Sequence, residues 1–296
     1  MRGFFLERGR YHRAMTAAFN PILGREVRTE PTPFARDGWT LVRCHETGFV
    51  FLPDPPSYDA LATEQAWEST YAAERARRAR DEPALVATAN LVLRVRQTLF
   101  PRRNPFAKLL ARELRARAAD ASVPTVVDIG CADARFTRSV ADAVAARGGC
   151  ARFVGIEVSR ALAAAGTGTL APIGGSVLCA SALDGVKSLG DRSVASILMS
   201  SFLEHEAKPL ELLREAARAL EPGGAAIVKV PNFACLNRLV RGARWCGFRY
   251  PDHVNYFTPA TLALLAAKAG LACEQPLSMR SPFSDNMYAL LRRTVA

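Results

Sequence analysis

Short apolar runs alternate with stretches of helical periodicity from Thr125 to the end of the chain. Five runs are apolar enough for buried strands: TVVDIG (125–130), RFVGIEV (152–158), SVLCAS (176–181), SVASILMSS (193–201) and AAIVKV (225–230). The helices predicted between them are ARFTRSVADAVAARGG (134–149), SRALAAAG (159–166) and KPLELLREAARAL (208–220), the last followed by the turn EPGG. LACEQPLSM (271–279) and DNMYALLRRT (285–294) predict two closing strands, and Thr258 with Pro259 predicts the start of the last helix.

This alternation of strands and helices is typical of a parallel sheet with helices on both faces. We therefore expect an α/β fold, a Rossmann-like sheet of seven mostly parallel strands. Ligands of such sheets bind outside the carboxyl ends of the strands. The stretch VVDIGCADARF (126–136) would lie at that edge.

The first 120 residues show a different pattern. WTLVRCHETGFVFL (39–52) predicts two short strands around a turn, and DPP (54–56) interrupts the chain after them. Helical periodicity follows near 58–80, 84–99 and 105–119. We therefore expect a smaller N-terminal region of hairpin and helices at 1–120 and the α/β domain at 121–296.

The formal net charge of +11 by itself suits a nucleic-acid partner. The charge is spread, however: residues 1–120 contain 20 basic and 14 acidic residues, and the remainder contains 19 and 14. Arginine outnumbers lysine by 34 to 5, which indicates a compositional bias rather than selection for phosphate binding. We therefore expect a partner other than nucleic acid.

Neither a membrane span nor a disulfide framework is expected. No run reaches the roughly 18 uninterrupted apolar residues that a span needs. The seven cysteines are scattered singly and form no C-x-x-C pair, which favours reduced thiols and a cytoplasmic location.

The loop after the first strand of the α/β domain has the composition of a ligand site. A glycine there lets a ligand approach the backbone, and the following helix offers unpaired N–H groups. Dinucleotide sites use G-x-G-x-x-G for this purpose, but here Gly130 is followed by Cys131, Ala132, Asp133 and Ala134. An acid at 133 would also repel a diphosphate, so we expect a ligand without phosphates.

An acid also ends the second strand of this domain, in Gly155-Ile156-Glu157-Val158. A carboxylate at that place can accept hydrogen bonds from both hydroxyls of a ribose. Asp128 and Glu157 at adjacent strand ends would favour a cationic adenosine ligand, and S-adenosylmethionine is one.

VVDIGCADARF, FVGIEVS, SVLCAS, SVASILMSSFLEH and ALEPGGAAIVKVPN, in this order, resemble a class I S-adenosylmethionine-dependent methyltransferase. The resemblance covers about residues 123–295 and is closest to small-molecule methyltransferases of the ubiquinone-biosynthesis type, which HVNYFTPATLALLAAKAGL (253–271) also matches. It implies cofactor contacts from residues at three strand ends and one helix start: Asp128, Gly130, Cys131, Ala132, Glu157, Val158, Ala182, Leu183, Ser201, Phe202 and Leu203.

Within this set, the resemblance places Asp128, Gly130 and Ala132 at the methionine part of the cofactor and Glu157 at the ribose. Ala182 and Leu183 would border the adenine, and the segment 201–203 would pass beneath the methyl group. The sequence departs from the family at two positions. Ala132 stands where glycine is common, and Ser181 stands where an acid often bonds the adenine amine.

Methyl transfer to oxygen usually needs a base, and histidine titrates in the useful range. His205 follows the fourth strand of the domain, and His253 precedes the last helix. Either is a candidate base, and each has the alternative role of fixing its loop by hydrogen bonds. If the acceptor atom is an activated carbon or an amine, no base is needed.

The insertion RLVRGARWCGFRYPDH (238–253) carries four arginines and three aromatics between the fifth strand and the last helix. In the family it usually covers the acceptor site. Trp245, Phe248, Tyr250 and the nearby Tyr256 are therefore candidate substrate contacts.

The segment 39–59 resembles a zinc ribbon that precedes the catalytic domain in related enzymes, but it keeps one cysteine, Cys44. Cys44 and His45 supply at most two of the roughly four ligands of a structural zinc site, so the hairpin is predicted to hold no metal.

The sequence therefore predicts a methyltransferase that uses S-adenosylmethionine to methylate a small molecule, with O-methylation favoured. Two alternatives stay open: an RNA methyltransferase, and a non-catalytic binding module that keeps the fold.

Overall fold

The computed structural model describes residues 16–56, 75–99, 104–116, 123–276, 279 and 281–293. Parts of the predicted helices near 58–80 and 105–119 and of the two predicted closing strands lie outside the described residues. The helices in the described part, besides a helical stretch at 75–81, are α1 (Pro83–Leu99), α2 (Pro105–Ala116), α3 (Arg135–Ala145), α4 (Arg160–Leu170), α5 (Ala182–Lys187), α6 (Pro209–Ala219), α7 (Leu236–Arg241) and α8 (Pro259–Lys268).

A seven-stranded sheet forms the centre of the molecule. Its strands, in chain order, are β5 (Thr125–Ile129), β6 (Arg152–Glu157), β7 (Ser176–Cys179), β8 (Val194–Ser200), β9 (Leu220–Pro231), β11 (Leu271–Glu274) and β12 (Asn286–Arg293). Their spatial order is β11-β12-β9-β8-β5-β6-β7. The five strands from β7 to β9 are parallel, and β12 runs antiparallel to both neighbours. The predicted Rossmann-like, mostly parallel sheet of seven strands is confirmed.

Helices pack on this sheet through the apolar faces that their periodicity predicts. On α2, Phe106, Leu110 and Leu114 are buried in one cluster with Val126 and Ile227 of the sheet. The start of α8 is also as predicted: Thr258 Oγ1 accepts a hydrogen bond from the Thr261 backbone N–H at 3.2 Å, with Pro259 in the first turn.

The stretch EPGG differs from its prediction. It lies inside β9, which already begins at Leu220, instead of forming a separate turn before the strand. The pairing of β9 with β8 shifts register between Val194 and Ser196, and Gly223 adopts a positive φ of 73°. The glycines therefore allow an irregular strand start rather than a chain reversal.

A second sheet consists of five antiparallel strands, four of which precede the central sheet in the chain. Its strands are β1 (Thr16–Asn20), β2 (Arg25–Arg36), β3 (Trp39–Cys44), β4 (Val50–Phe51) and β10 (Asn255–Tyr256), in that spatial order. The predicted hairpin at 39–52 is present as β3 and β4. It is part of a larger sheet, because β10 arrives from the insertion before α8 and pairs Tyr256 with Val50.

The two sheets share one hydrophobic core. Ile22, Phe49 and Phe51 of the antiparallel sheet belong to the same buried cluster as Val127 and Val228 of the central sheet. The antiparallel sheet is therefore packed directly against the α/β domain.

Candidate active site

The carboxyl ends of β5, β6 and β8 bring the predicted cofactor residues to one edge of the central sheet. This edge, called the carboxyl edge below, consists of the loop 130–134, Glu157 with Val158, and the segment 201–203. Parallel pairing sets Ile129 beside Ile156, so the loop after β5 and the acid that ends β6 are neighbours.

Glu157 holds the carboxyl edge together through both carboxylate oxygens. Oε2 accepts a hydrogen bond from the Ala132 backbone N–H at 3.0 Å, and Oε1 accepts one from the Ser159 N–H at 2.9 Å. The residue is only 9% exposed, so its carboxylate is largely shielded from solvent. Each carboxylate oxygen can accept a further hydrogen bond, which leaves capacity for two hydroxyl groups.

The loop 130–134 keeps a glycine-type backbone although two of its positions are alanine. The φ angles are 70° at Gly130, 50° at Ala132 and 57° at Ala134, all in the left-handed region. Ala134 fits because it faces Gly166 of α4, where an added Cβ would lie 3.4 Å from the Ala134 methyl. The loop therefore has the conformation of a glycine-rich loop at the cost of strain at both alanines.

The N-terminus of α3 faces the carboxyl edge without a side-chain cap at its N-cap residue, Ala134. Asp133 nearby forms a salt bridge with Arg135 at 2.6 Å. The repulsion of a diphosphate predicted for Asp133 is therefore reduced by this arginine, and Asp133 is a weaker reason against phosphates than the sequence indicated.

Asp128 supports the loop from beneath. Its Oδ2 accepts a hydrogen bond of 2.6 Å from the Thr137 hydroxyl on α3, and its side chain is buried. Burial raises the pKa of Asp128 to about 7, against the lowering effect of that hydrogen bond. Cys131 is buried too, with its Sγ against Gly155, and burial raises the pKa of its thiol far above the ordinary value.

The segment after β8 closes the carboxyl edge opposite the loop. Ser201 has a positive φ of 58°, Phe202 packs its ring against Gly130, and Leu203 is fully buried. An ideal Cβ on Gly130 would lie 2.4 Å from Phe202 Cδ2. Phe202 is thus the side chain that limits the space above the loop.

Apolar surface lies where an adenine is predicted. Val158 is 42% exposed, an unusual exposure for valine directly after a buried strand. At the start of α5, Ala182 is buried and Leu183 is half-buried. Ser181 Oγ accepts a hydrogen bond from the Asp184 N–H at 3.1 Å, so Ser181 is the N-cap of α5. In the family, an acid at this position often bonds the adenine amine.

The two candidate bases, His205 and His253, lie together. Their rings are perpendicular, with centroids 4.7 Å apart. His205 Nδ1 lies 2.9 Å from the Asp252 carbonyl oxygen, and His253 Nδ1 lies 2.8 Å from that of Gly247. Burial lowers the pKa of His205 to about 4 and the pKa of His253 well below its ordinary value, so both imidazoles are neutral at pH 7.

Glu204 completes this group. It was not predicted from the sequence, because in the stretch FLEH (202–205) only the histidine was considered. Its carboxylate, His205 and His253 each offer a ligand atom within 4.8 Å of the other two. Burial raises the pKa of Glu204 to about 8, and Lys229 and Arg249 oppose that rise. The sequence signal that could have indicated it is an acidic residue directly after the apolar Phe202 and Leu203.

A family model described as a methyltransferase domain matches residues 102–275, which is more than half of the chain. This chain belongs to the methyltransferase-domain family. A comparison with curated proteins finds no match.

Solved structures with a similar backbone include several S-adenosylmethionine-dependent methyltransferases. An S-adenosylmethionine-dependent methyltransferase from Archaeoglobus fulgidus is 17% identical, with 63% of this chain and 94% of that chain covered and a TM-score of 0.44. One from Methanosarcina mazei is 14% identical, with 62% and 98% covered and a TM-score of 0.44. One from Thermotoga maritima is 19% identical, with 63% and 92% covered and a TM-score of 0.44.

S-adenosylmethionine is the cofactor expected of this methyltransferase, and the residues of the carboxyl edge fit it. The Glu157 carboxylate can accept hydrogen bonds from a ribose diol, since each oxygen has one protein donor and room for another. The exposed Val158 offers an apolar surface to a base, and the uncapped start of α3 offers N–H groups to a carboxylate.

The aromatic residues predicted as substrate contacts lie mostly inside the methyltransferase. Trp245, Phe248 and Tyr256 are buried in a cluster with Leu41 and Val50 of the antiparallel sheet. Trp245 Nε1 donates a hydrogen bond of 2.8 Å to Asp285. In this structure these three side chains have almost no free surface, so they anchor the insertion to the N-terminal sheet.

Tyr250 differs from the other three aromatics because it is half-buried. Together with Trp245 and Phe248 it lines a cavity of about 130 Å³. The Arg36 guanidinium lies over its ring, 5.0 Å from the centroid. Of the four predicted aromatic contacts, Tyr250 is therefore the one whose side chain is partly exposed.

A larger cavity of about 270 Å³ opens at the same edge as the cofactor residues. Asn232 follows the end of β9, and Asn286 begins β12 directly beside Pro231. Met287 and Tyr288 add apolar surface. Sequence reasoning missed this cavity because its walls come from segments more than 50 residues apart.

The hairpin residues Cys44 and His45 differ in their burial. Cys44 is fully buried in the core shared by the two sheets, whereas His45 beside it is exposed.

Among the described residues, no helix combines the length and apolar character that crossing a membrane requires.

Proposed function

We propose that this methyltransferase transfers the methyl group of S-adenosylmethionine to an oxygen atom of a small molecule. Glu157 would accept hydrogen bonds from both ribose hydroxyls, and the loop 130–134 would hold the amino-acid tail. Val158, Ala182 and Leu183 would contact the adenine. When bound, the cofactor supplies an electrophilic methyl group on a sulfonium, and alignment in a dry pocket is left to the protein.

The observation that carries oxygen as the acceptor is the pair of neutral imidazoles beside the end of β8. In each, a carbonyl oxygen accepts the Nδ1–H, which leaves the lone pair on Nε2. A hydroxyl acceptor that attacks a methyl carbon must lose its proton, and an Nε2 lone pair can take it. His205 and His253 both carry such a lone pair, but the burial that lowers their pKa also makes them weaker bases than an exposed histidine.

Two features support a small acceptor rather than RNA. The cavity of about 270 Å³ lies beyond the end of β9, with Asn232 in its wall, and is near the lower limit of small-molecule pockets, about 300 Å³. The positive charge is distributed over both halves of the chain. The N-terminal region, residues 1–120, would cover this acceptor side, because β4 and β10 join it to the insertion before α8.

The test uses S-adenosylmethionine carrying a tritiated methyl group and two fractions of one cell extract, solvent-extractable small molecules and purified RNA. Label transferred to the small-molecule fraction as an ether or ester supports the proposal. Label in RNA that nuclease releases, or label bound through nitrogen or carbon, contradicts it. Salt-sensitive binding to RNA would point the same way.

The histidines are tested by His205→Ala and His253→Ala, with His45→Ala as the control because His45 is exposed. Loss of a general base lowers turnover by about 100- to 10,000-fold. We expect such a loss in at least one of the first two variants, with the affinity for S-adenosylmethionine retained. Unchanged turnover in both would contradict transfer that depends on a base.

A further inference from the structure

Three side chains that can bind a metal converge just after β8. They are Glu204, His205 and His253, and one potential ligand atom of each lies within 4.8 Å of the other two. Two come from the turn after β8, and the third comes from the insertion that precedes β10. The fold thus brings together residues that are 48 positions apart in the chain.

The backbone fixes both histidines in the state that a metal needs. Carbonyl oxygens only accept hydrogen bonds, so Asp252 O and Gly247 O require a hydrogen on each Nδ1. The lone pair of each ring is therefore on Nε2. Histidines that bind metals usually donate their other N–H to a carbonyl or carboxylate in this way, which fixes the ring orientation.

Glu204 supplies an independent sign of a missing partner. It is 1% exposed, and its Oε2 has no hydrogen-bond partner within the described part of the chain. A buried carboxylate oxygen without a donor is costly. One proton could join Glu204 to one of the histidines, whereas one cation could be bound by all three residues.

We propose that Glu204, His205 and His253 bind a divalent first-row transition metal ion, with zinc as the representative ion. Two imidazoles and one carboxylate form a three-ligand set that leaves a fourth position open for water or an acceptor oxygen. Metal binding rests on the geometry of the three residues. An Nε2 lone pair that binds the metal cannot also act as a base, so in the metal-bound form the ion and not the imidazoles would lower the pKa of an acceptor hydroxyl. That use of the metal rests in addition on the proposed function.

The ligand set, two imidazoles and one carboxylate, favours a metal that prefers nitrogen. Arg249 and Lys229 both act on Glu204, and Arg249 is paired with Asp252 at 3.0 Å. With cations nearby and a single carboxylate in the set, oxygen-seeking ions such as magnesium or calcium are poorly served. Imidazole nitrogen is a good ligand for zinc, cobalt, nickel and iron.

The test is a metal titration of the full-length protein after removal of metals with a chelator. Zinc binding is measured by calorimetry, and cobalt binding by its visible absorption. We expect one equivalent of either ion, cobalt spectra typical of nitrogen and oxygen ligands, and a higher Tm with zinc. Less than one equivalent in the wild type, or a cobalt–thiolate band from Cys150 or Cys179, would overturn the site.

The variants are Glu204→Gln and His253→Ala, with His45→Ala as the matched control. Each of the first two should weaken zinc binding by more than the roughly 10- to 100-fold that loss of a supporting contact causes. Glu204→Gln keeps the shape of the side chain, so it remains informative if His253→Ala fails to fold. Wild-type affinity in Glu204→Gln would overturn the proposal.

The metal proposal and the proposed function fail separately. Stoichiometric zinc binding without methyl transfer to oxygen would leave the metal site standing and remove the proposed reaction. Transfer to oxygen by fully chelated protein that binds no zinc would remove the metal site and leave the histidines as bases.

Discussion

The ring of Phe202 lies directly against the Cα of Gly130, so the space for a Cβ at Gly130 is already filled. An added Cβ would be 2.4 Å from Phe202 Cδ2, and Gly130 has a φ of 70°. Gly130→Ala should therefore lower the free energy of unfolding by at least about 1–2 kcal/mol, the cost of a left-handed alanine alone. Urea unfolding measures this loss, and calorimetry should show weaker S-adenosylmethionine binding.

Phe202→Ala separates the two causes. In the double variant Gly130→Ala/Phe202→Ala the clash is gone and the backbone strain stays. The loss of stability in the double variant should therefore be smaller than the sum of the losses in the two single variants. We expect a coupling of about 0.5–3 kcal/mol, as for residues in contact. Strictly additive losses would show that the ring is not held against the loop.

Ala132 is a residue at which a less bulky side chain should stabilise the protein. Ala132→Gly relieves a left-handed alanine, worth about 1–2 kcal/mol. It also adds freedom to the unfolded chain, which costs about 0.4–1 kcal/mol. We expect a net gain in the free energy of unfolding, measured in urea. Ala164→Gly, at an exposed position within α4, is the control and should lose stability; a loss in Ala132→Gly as well would contradict the strain.

Asp128 should make stability depend on pH. Its pKa is raised from 3.8 to about 7 by burial, so the folded state holds a proton that the unfolded state releases. The contribution to stability is fully present below about pH 4 and is lost as pH rises through 7. At about 1.4 kcal/mol per unit, the loss amounts to up to roughly 4 kcal/mol.

Asp128→Asn removes that titration and keeps an oxygen for Thr137. The free energy of unfolding of the variant, relative to the wild type, should therefore rise between pH 4 and pH 8 in urea unfolding. Asp142→Asn, at an exposed position, is the control. A difference that stays constant over this range for Asp128→Asn would contradict the raised pKa.

Trp245 should be a structural residue. It is buried between the insertion and the antiparallel sheet and donates its Nε1–H to Asp285. Trp245→Ala should lower the free energy of unfolding by about 3–5 kcal/mol. Trp245→Phe keeps most of the volume but removes one hydrogen bond to Asp285, which also accepts one from Cys235 Sγ, so the loss should be at most about 1.5–3 kcal/mol. Normal stability of Trp245→Ala with weaker acceptor binding would instead make Trp245 a substrate contact.

The central sheet could be predicted because parallel strands buried on both faces are continuous apolar runs. Glu157 stood out for a related reason: an acid at the end of such a run needs a partner, and it has two N–H donors. Local signals also placed the start of α8, since Thr258 and Pro259 act within one turn. In these elements the deciding interactions lie within a few residues of each other.

Apart from the hairpin β3–β4, the antiparallel sheet was not predicted, because the pairing of its other strands is not evident from local sequence. In β2, Pro31 and Pro33 argue against a strand, yet they lie beyond the end of β1, whose last partner is Thr29. The proline nitrogens therefore disturb no pairing with β1. The strand β10 is two residues long and is defined only by its contact with β4.

The candidate site was predictable on its cofactor side and less so on its acceptor side. Phe202 over Gly130 and Glu204 beside the histidines depend on how a turn folds back, and no periodicity encodes that. The buried positions of Phe248 and Tyr256 depend on Leu41 and other residues of the distant N-terminal sheet. Aromatics in an insertion look alike in the sequence whether they contact a ligand or a core.

The central claim, that Glu157 holds the ribose of S-adenosylmethionine, is tested most directly by calorimetry with the wild type, Glu157→Gln and the exposed control Glu211→Gln. Hydrogen bonds to a charged group are worth about 1.5–3 kcal/mol, so Glu157→Gln should weaken cofactor binding by about 10- to 100-fold. Glu211→Gln should bind like the wild type. Equal affinity in Glu157→Gln and the wild type, or no binding heat from the wild type at millimolar cofactor, would contradict the claim.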